Sequence, residues 1–457
     1  MKDLRHYLAS CEGRTEIERA TRCAHDIPAV LEDLESRGNF GPVIFRNVIN
    51  NHDALAEGSV AVNLFARPDA IVHIWESGGI VDCDGFNERV ALDGAITIVD
   101  RKEAPVAEVV ATGTAVDLMS LSVITHHERD AGPYITAGIV VVRDPETGVH
   151  NAAIQRLFVR DRATLGIFMA PSGQNQKIRD KYAASDMDMP VAVIVGHHPL
   201  FYLGAQTREP MHRDEYRVAA SVMGETLRLI ACTSSDLLVP ADAELVLEGV
   251  LPMRSSGREG PFGEYSHYYC EPAQRECITV TSILHRANPV MMDIFACHRD
   301  HHQLEGAILT AQLTHIMRSE YPEFVRLSLP LSGCCQMFCY ASIRNHAGFD
   351  VKKAGLRILA AQEYVKHVVF VDADVDVENE AEVLWAIATR ANLGTDLLLT
   401  RAAGGTLMDP TITDGKPPER GVIDATAKNP ALLANRVRVH PAALSQIEHA
   451  CYLERAL

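Results

Sequence analysis

The sequence has 457 residues, of which 47% are hydrophobic and 23% are charged, a composition typical of a globular protein with two or three domains. Its formal net charge of −17 disfavours nucleic acids and anionic membranes as partners, because both require basic surfaces. The sequence has no apolar run of membrane-spanning length, no signal-peptide core at its start, and eleven scattered cysteines. We therefore expect a cytoplasmic protein with reduced thiols.

The first two thirds of the sequence predict mainly β-strands. A helix is predicted over 14–37, where apolar residues recur at a helical spacing. Short apolar or β-branched runs bounded by turn residues predict strands at 42–45, 60–65, 70–75, 95–99, 139–142, 192–195, 245–247 and 278–280. Helical interruptions of this β-rich region are predicted near 174–183 and 213–226.

The last third alternates between helix and strand patterns, which indicates an α/β domain. It opens with an amphipathic pattern from Leu304 to Ile316, which predicts a long helix that leads out of the middle region. The elements that follow are predicted at 325–329 (strand), 349–363 (helix), 368–371 (strand), 379–391 (helix) and 396–399 (strand). Residues 405–440 are rich in Pro, Gly and charged residues, and they predict loops.

Two carboxylates lie five residues apart in the middle of the chain, where Gly-Pro-Phe-Gly separates Glu259 from Glu264. Because neither a helix nor a strand tolerates that spacer, we predict a shaped turn that brings the two acids together. Two acids held close cannot both ionise cheaply, so one is expected to keep a proton near neutral pH and to serve as a general acid. The alternative is a solvated acidic loop, which is a far commoner feature.

A second polar cluster follows a predicted hairpin turn at Asp144–Gly148. Alternation along the next strand predicts two faces, with Asn151, Ala153 and Gln155 on one and His150, Ala152, Ile154 and Arg156 on the other. An arginine among small residues leaves room for a ligand, and its fork suits a carboxylate or a phosphate. A structural salt bridge of Arg156 is the alternative interpretation.

Two other features are candidate ligand sites. The polar turn at 171–177 feeds a helix, and helix starts bind phosphates, although a helix N-cap explains Ser172 equally well. Glu225 follows the helix predicted near 213–223, and it is either a hard-metal ligand or a surface acid.

The histidines and cysteines do not form a zinc motif along the sequence. The histidine pairs at 126–127, 197–198 and 301–302 lack the spacing of a zinc helix, and only His301–His302 is a weak pocket candidate. Cys334, Cys335 and Cys339 lie close together, but no second ligand pair at zinc spacing accompanies them. Buried structural thiols are therefore favoured over zinc there.

Taken together, these stretches resemble the UbiD-type decarboxylases, a family that uses prenylated flavin mononucleotide (prenylated FMN). The resemblance covers about residues 40–428. The stretches that carry it are Gly132–Thr136, Asp144 to Arg156, Glu259–Glu264, Val371–Asp376, Trp385–Arg390 and Asp424–Thr426. Each stretch is modest alone, but their order and separations are specific to the family.

The resemblance implies a mixed α/β fold, in which an α/β flavin-binding domain encloses a split β-barrel and a helix leads to a C-terminal α/β domain. The expected boundaries are 1–115 for the N-terminal part of the flavin-binding domain, 116–300 for the split barrel with the flavin and catalytic residues, 301–322 for the linking helix, and 323–457 for the dimerisation domain. A homodimer or a higher homo-oligomer is expected.

The resemblance also implies the site. In that family an arginine and two acids form a catalytic trio, and the matching positions here are Arg156, Glu259 and Glu264. The implied ligands of a divalent metal, Mn²⁺ or Mg²⁺, that holds the flavin phosphate are Asn151, Asn175 and Glu225, and relatives also carry K⁺ nearby. The implied flavin contacts are Asn151, Ala153, Ile154, Gln155, Arg156, Gln174, Asn175, Glu225 and Lys428.

The implied reaction is the reversible, non-oxidative decarboxylation of an aromatic, heteroaromatic (indole- or pyrrole-carboxylate type) or α,β-unsaturated acid, with CO₂ as the second product. Loss of CO₂ from an sp² carbon leaves a carbanion that no side chain can delocalise, so a cofactor must accept the electron pair. A flavin prenyltransferase is the expected supplier of that cofactor. The alternatives are a hydroxybenzoate-type (phenolic acid) decarboxylase, a non-catalytic flavin-binding homologue, and a metal-dependent hydrolase that uses Glu225 and histidines.

Overall fold

The structure is a computed structural model that describes residues 2–11, 13–207, 209–344, 348–401, 409–412, 418–429, 431, 433, 436–437, 439–440 and 442–444. No helix within these residues is both long enough and apolar enough to cross a membrane. The α-helices are α1 (Leu4–Ser10), α2 (Ile27–Ser36), α3 (Ala70–Ser77), α4 (Cys83–Val90), α5 (Gln174–Ala184), α6 (Pro199–Ala205), α7 (Glu215–Met223), α8 (Arg299–Glu320), α9 (Val351–Ala361), α10 (Glu380–Arg390) and α11 (Leu393–Asp396).

The strands fall into several sheets along the chain. They are β1 (Glu16–Cys23), β2 (Val43–Ile49), β3 (Ser59–Val62), β4 (Ile96–Ile98), β5 (Val109–Thr112), β6 (Tyr134–Ile135), β7 (Ile139–Arg143), β8 (His150–Ile154), β9 (Leu157–Val159), β10 (Thr164–Ile167), β11 (Met189–Val195), β12 (Leu227–Ala231), β13 (Leu238–Pro240), β14 (Leu245–Leu251), β15 (Gly257–Glu259), β16 (Phe262–Gly263), β17 (Tyr269–Cys270), β18 (Ala273–His285), β19 (Val290–Met292), β20 (Phe324–Ser328), β21 (Phe338–Ile343), β22 (His367–Asp372), β23 (Leu397–Thr400) and β24 (Arg420–Asp424).

The N-terminal sheet has four strands in the order β1-β2-β3-β19, and two of the predicted elements near it are wrong. The helix predicted over 14–37 is a strand in its first half, because β1 pairs in parallel with β2, and α2 begins only where Pro28 occupies the first turn. The strand predicted at 70–75 is the helix α3. A short apolar run does not distinguish a buried strand from a buried helix. In the structure this run is helical, and Trp75 stacks on Phe86.

The largest sheet contains the strands predicted in the middle region. Its order is β6-β9-β10-β18-β14-β11-β7-β8, and β5 and β15 also pair with β18. The end strands β6 and β8 have no pairing with each other in the described residues, so this sheet does not close into a barrel. The helices α5 and α7 both contact β8, and α6 packs on α7, so the strand that carries Asn151 is held from two sides.

The helix α8 joins the two halves of the molecule. Leu304 and Ile308 lie in the core beneath the large sheet, whereas Leu313 and Met317 lie in the core of the C-terminal domain. That domain is built on a sheet with the order β20-β21-β22-β24-β23, with α9 packed on β22 and β24. The long helix and the alternating α/β pattern predicted from the sequence are both confirmed. Part of the 405–440 segment predicted as loops lies outside the described residues.

Candidate active site

The turn Glu259–Glu264, called the acid turn below, brings both of its carboxylates to one arginine. Arg156 donates from Nε and Nη2 to the two carboxylate oxygens of Glu259, each at 3.0 Å. Its third nitrogen, Nη1, forms an ion pair with Oε1 of Glu264. Each of the three side chains is at most 10% exposed. The structure therefore joins residues from distant parts of the chain in an arginine–acid cluster (Arg156, Glu259 and Glu264).

Gly260 and Tyr134 fix the shape of the acid turn. Gly260 has a φ of +86°, a backbone conformation that favours glycine. Its amide donates to the Tyr134 hydroxyl at 3.2 Å, and that hydroxyl donates to Oε1 of Glu259 at 3.1 Å. Burial, together with the neighbouring Glu259, raises the pKa of Tyr134, so the hydroxyl stays protonated. No role for Tyr134 was predicted from the sequence, although Tyr134 lies in Gly132–Thr136, one of the stretches that resemble the family.

Aromatic rings and acids hold the Arg156 guanidinium in one orientation. Its central carbon lies 4.9 Å from the centre of the Phe168 ring and 5.1 Å from the centre of the Phe262 ring. Burial opposes the positive charge, but the adjacent Glu259 outweighs burial and raises the pKa of Arg156. The guanidinium is therefore a fixed cation that can meet an anionic ligand.

A cavity of about 230 Å³ opens onto the arginine–acid cluster. The large sheet, α8 and the C-terminal domain all contribute to its lining, which includes Ile154, Gln155, Arg156, Phe168, Phe262, Glu264, Tyr265, His301 and Tyr364. Because β8 ends at Ile154, the alternation predicted through Arg156 stops there, and both Gln155 and Arg156 line the cavity. A larger open groove of about 820 Å³ lies beside α1 and β1, but none of the predicted site residues lines it.

Asn151 and Asn175 meet in the interior next to the β7–β8 hairpin. Nδ2 of Asn151 donates to Oδ1 of Asn175 at 2.6 Å, and both side chains are buried. Oδ1 of Asn151 and Nδ2 of Asn175 are buried without a hydrogen-bond partner among the described residues. Of these two atoms, Oδ1 of Asn151 is an oxygen acceptor that is available to a bound group.

Glu215, the first residue of α7, places its carboxylate against β8 next to Asn151. Its Oε2 accepts a hydrogen bond from the amide of Ala152, which is adjacent to Asn151 in β8. The side chain is buried, and burial raises the pKa of Glu215 well above its ordinary value of 4.5. Two carboxamides and a carboxylate form an oxygen-donor set (Asn151, Asn175 and Glu215) that fits a hard divalent cation.

Glu225, which the sequence analysis assigned to this set, lies at the other end of α7. Its Oε1 accepts a hydrogen bond from the main-chain nitrogen of Lys2 at 2.6 Å. Roughly 12 Å of helix separates Glu215 from Met223, the last residue of α7, and Glu225 lies beyond that end. The sequence alone does not reveal which end of a helix faces a given strand, and it assigned Glu215 no role. One sequence signal marked this position: Glu215 directly follows Asp214, the N-cap of α7, and therefore lies in the first turn of the helix.

The remaining predicted flavin contacts lie in different parts of the fold. Ala153 is in β8, and Gln174 opens α5, where its amide donates to the main-chain carbonyl of Glu209. Lys428 lies in the C-terminal domain, where its ammonium group contacts Asp424. The described contacts of Lys428 do not reach β8 or the arginine–acid cluster.

The start of α5 lies at the oxygen-donor set and is suited to an anion. Its N-cap is Gly173, which provides no side-chain cap, so the N-cap role considered for Ser172 is not observed. Asn175 is in the first turn of this helix. Amides that lack a side-chain cap at a helix start attract phosphate, especially where a cation is held nearby.

Two domain families match this chain. The 3-octaprenyl-4-hydroxybenzoate carboxy-lyase Rift-related domain (UbiD) matches residues 97–299, and the C-terminal domain of the same carboxy-lyase (UbiD_C) matches residues 302–425. These matches span most of the sequence, so the chain belongs to the UbiD family of carboxy-lyases. The anhydromevalonate phosphate decarboxylase of Methanothermobacter thermautotrophicus is 33% identical over 68% of this chain and 73% of its own length.

Solved structures of UbiD-class enzymes share the fold. The enzyme HmfF from Pelotomaculum thermopropionicum in complex with FMN superposes with a TM-score of 0.91 and 30% identity, covering 99% of this chain and 100% of that one. An evolved dimeric form of HmfF in complex with prFMN gives a TM-score of 0.87 and 29% identity, with the same coverage of both chains. The family and the mixed α/β fold predicted from the sequence are therefore confirmed.

Burial of Glu215 predicts how the stability of the metal-free protein depends on pH. The pKa of Glu215 is higher in the folded state than in the unfolded chain, so the unfolded chain loses the Glu215 proton at a lower pH. The free energy of unfolding therefore falls as the pH rises above about 4.5. The contribution of one such group is at most about 1.4 kcal/mol per pH unit. We expect Glu215→Gln to remove this contribution, so that between pH 5 and pH 7 the chelator-treated variant loses less stability than the wild type. Urea unfolding at each pH measures the difference, and parallel curves for the two proteins would contradict it.

Proposed function

We propose that the protein is a prenylated-FMN-dependent carboxy-lyase that acts on a small aromatic, heteroaromatic or α,β-unsaturated carboxylic acid. The observation that carries this proposal is the buried Arg156, bracketed by Glu259 and Glu264 where it meets the cavity. Burying three charged side chains is costly, and the packing of the sheet does not require them. Perturbed and clustered ionisable groups in a cavity are typical of catalytic sites.

Each member of the arginine–acid cluster has a distinct role in this proposal. Arg156 binds and orients the substrate carboxylate at Nη1, where the substrate replaces Glu264, because Glu259 occupies Nε and Nη2. Glu259 holds Arg156 by two parallel hydrogen bonds and is itself held by Tyr134. Once released from its ion pair with Arg156, Glu264 takes up a proton from solvent. As the carbon–carbon bond breaks and CO₂ leaves, the carboxylic acid of Glu264 delivers that proton to the carbon that carried the carboxyl group. Prenylated FMN, when bound, supplies the electron sink for the pair left on that carbon.

The oxygen-donor set would hold the flavin phosphate through a divalent cation. Asn151, Asn175 and Glu215 offer oxygen donors of the kind that Mn²⁺ and Mg²⁺ prefer. The start of α5 adds main-chain amides for the phosphate oxygens. The FMN and prFMN complexes of HmfF support a flavin in this family member as well.

The lining of the cavity supports a small planar acid as the substrate. Rings of Phe168, Phe262 and Tyr265 provide flat apolar surfaces, while Gln155 offers a buried carbonyl oxygen without a partner in the described residues. A ring with a polar heteroatom or an unsaturated chain fits these contacts.

The proton-delivery role of Glu264 is tested by Glu264→Gln. The amide keeps the shape of the side chain but has no acidic proton, so we expect the variant to bind flavin like the wild type and to lose at least about a hundredfold in turnover. Protein co-expressed with a flavin prenyltransferase would be assayed for flavin absorbance and for CO₂ release from a panel of aryl, heteroaryl and unsaturated acids. The matched control is Glu271→Gln, which changes an exposed acid near the same turn and should keep wild-type turnover. Wild-type rates in Glu264→Gln would remove Glu264 from this role.

The assignment of Glu215 in place of Glu225 is tested by flavin retention. We expect Glu215→Gln to lower the flavin content after gel filtration at least about tenfold, because loss of a metal ligand weakens the attachment of the phosphate. Glu225→Gln should retain as much flavin and metal as the wild type. If Glu215→Gln kept its flavin and Glu225→Gln lost it, Glu225 would be the metal ligand, as predicted from the sequence.

A further inference from the structure

A second cluster of metal-binding side chains lies behind the acid turn. Donor atoms of His267, His302 and Cys334 all lie within 4.8 Å of one another. The three residues are 35 and 32 positions apart in the sequence, which is why no ligand spacing reveals them. Each comes from a different part of the fold, namely the loop after the acid turn, the start of α8, and the segment between β20 and β21.

The backbone around this cluster is unusual. Two residues of the cluster and two residues next to it in the sequence or close by have a positive φ, although none of them is glycine. The φ values are +63° at His267, +58° at Cys297, +55° at Cys334 and +51° at Cys335. Such conformations are uncommon outside glycine and concentrate at functional sites. Gly306 of α8 permits the close approach, since a Cβ at that position would lie 2.6 Å from Cβ of Cys335.

The hydrogen bonding of His302 leaves one ring nitrogen available as a ligand. Its Nε2 lies 2.7 Å from the main-chain oxygen of Tyr265, and because that oxygen can only accept, Nε2 carries the proton. Nδ1 is then the nitrogen with a lone pair, and the carbonyl orients the ring as second-sphere partners of zinc ligands do. The His267 ring is inclined at 62° to this ring, and the two ring centres are 5.2 Å apart. His267 is exposed, which gives a metal ion a path from solvent.

We propose that His267, His302 and Cys334 form a zinc site (the His–His–Cys site) that ties the acid turn to α8 and to the C-terminal domain. Two imidazoles and a thiolate are the donors that Zn²⁺ prefers, whereas the oxygen-donor set at Asn151 suits a hard cation. Three protein ligands leave a fourth position for water. Zinc binding converts the Cys334 thiol to a thiolate and releases its proton to solvent.

The site bears on the acid turn through short connections. The amide of His267 donates to the carbonyl of Glu264 at 2.9 Å, and Tyr265, whose carbonyl holds His302, lines the cavity. A bound ion would therefore restrain the segment that carries Glu264 relative to the linking helix. This inference does not depend on the proposed flavin chemistry, because its test reads metal binding directly.

Cobalt binding to the full-length chain tests the proposal. Co²⁺ bound to a thiolate gives a charge-transfer band in the near ultraviolet, which a site made only of oxygen donors does not give. We expect the chelator-treated wild type to develop this band with one equivalent of Co²⁺ and to lose it when Zn²⁺ is added. Cys334→Ser should abolish the band, and His267→Ala, an exposed change that leaves the core intact, should weaken Co²⁺ binding at least about tenfold.

Cys23→Ser is the matched control, because Cys23, His25 and Asp26 form another group with donor atoms within 4.8 Å. That variant should keep the full band. A band that survives in Cys334→Ser, a band lost in Cys23→Ser, or wild-type affinity in His267→Ala would overturn the proposal. A reduced wild type that binds no Co²⁺ through a thiolate would also overturn it.

Discussion

The cost of burying the Arg156 guanidinium is the constraint on which the candidate site depends. A buried cation without a partner destabilises a fold by several kcal/mol, whereas a bidentate carboxylate offsets most of that cost. Glu259 provides this pairing, and Tyr134 fixes Glu259 in turn. Both ends of the acid turn pair with Arg156, and Glu264 thereby lies at the cavity.

The site also depends on how two helices are placed. The start of α7 presents Glu215 to β8, which carries Asn151 near its beginning and ends two residues before Arg156. The helix α8 contributes to both the central and the C-terminal core, and its first turns lie between the cavity and the His–His–Cys site. Rigid attachment to two cores gives α8 a fixed position from which both sites can be held.

Sequence patterns predicted correctly those parts of the fold whose hydrophobic periodicity fits only one type of secondary structure. The long helix, the β-rich middle and the alternating last third follow from clear periodicity, and the family resemblance followed from motifs in order. The predictions for 14–37 and 70–75 were wrong because these charged or continuous apolar runs are compatible with both a helix and a strand. Strand pairing and core packing determine which of the two forms. The proposed metal-binding roles of Glu215 and of the His–His–Cys site could not be predicted from the sequence, because they depend on tertiary contacts between distant segments.

The central claim is that the arginine–acid cluster faces the flavin and the substrate carboxylate. Its most direct test is a crystal structure of the full-length protein, co-expressed with a flavin prenyltransferase and soaked with an unreactive aryl carboxylate. We predict that the flavin ring lies in the cavity lined by Gln155 and Glu264, with the carboxylate on the Arg156 guanidinium. A flavin bound in the groove beside α1 and β1, or a carboxylate bound away from Arg156, would contradict the account.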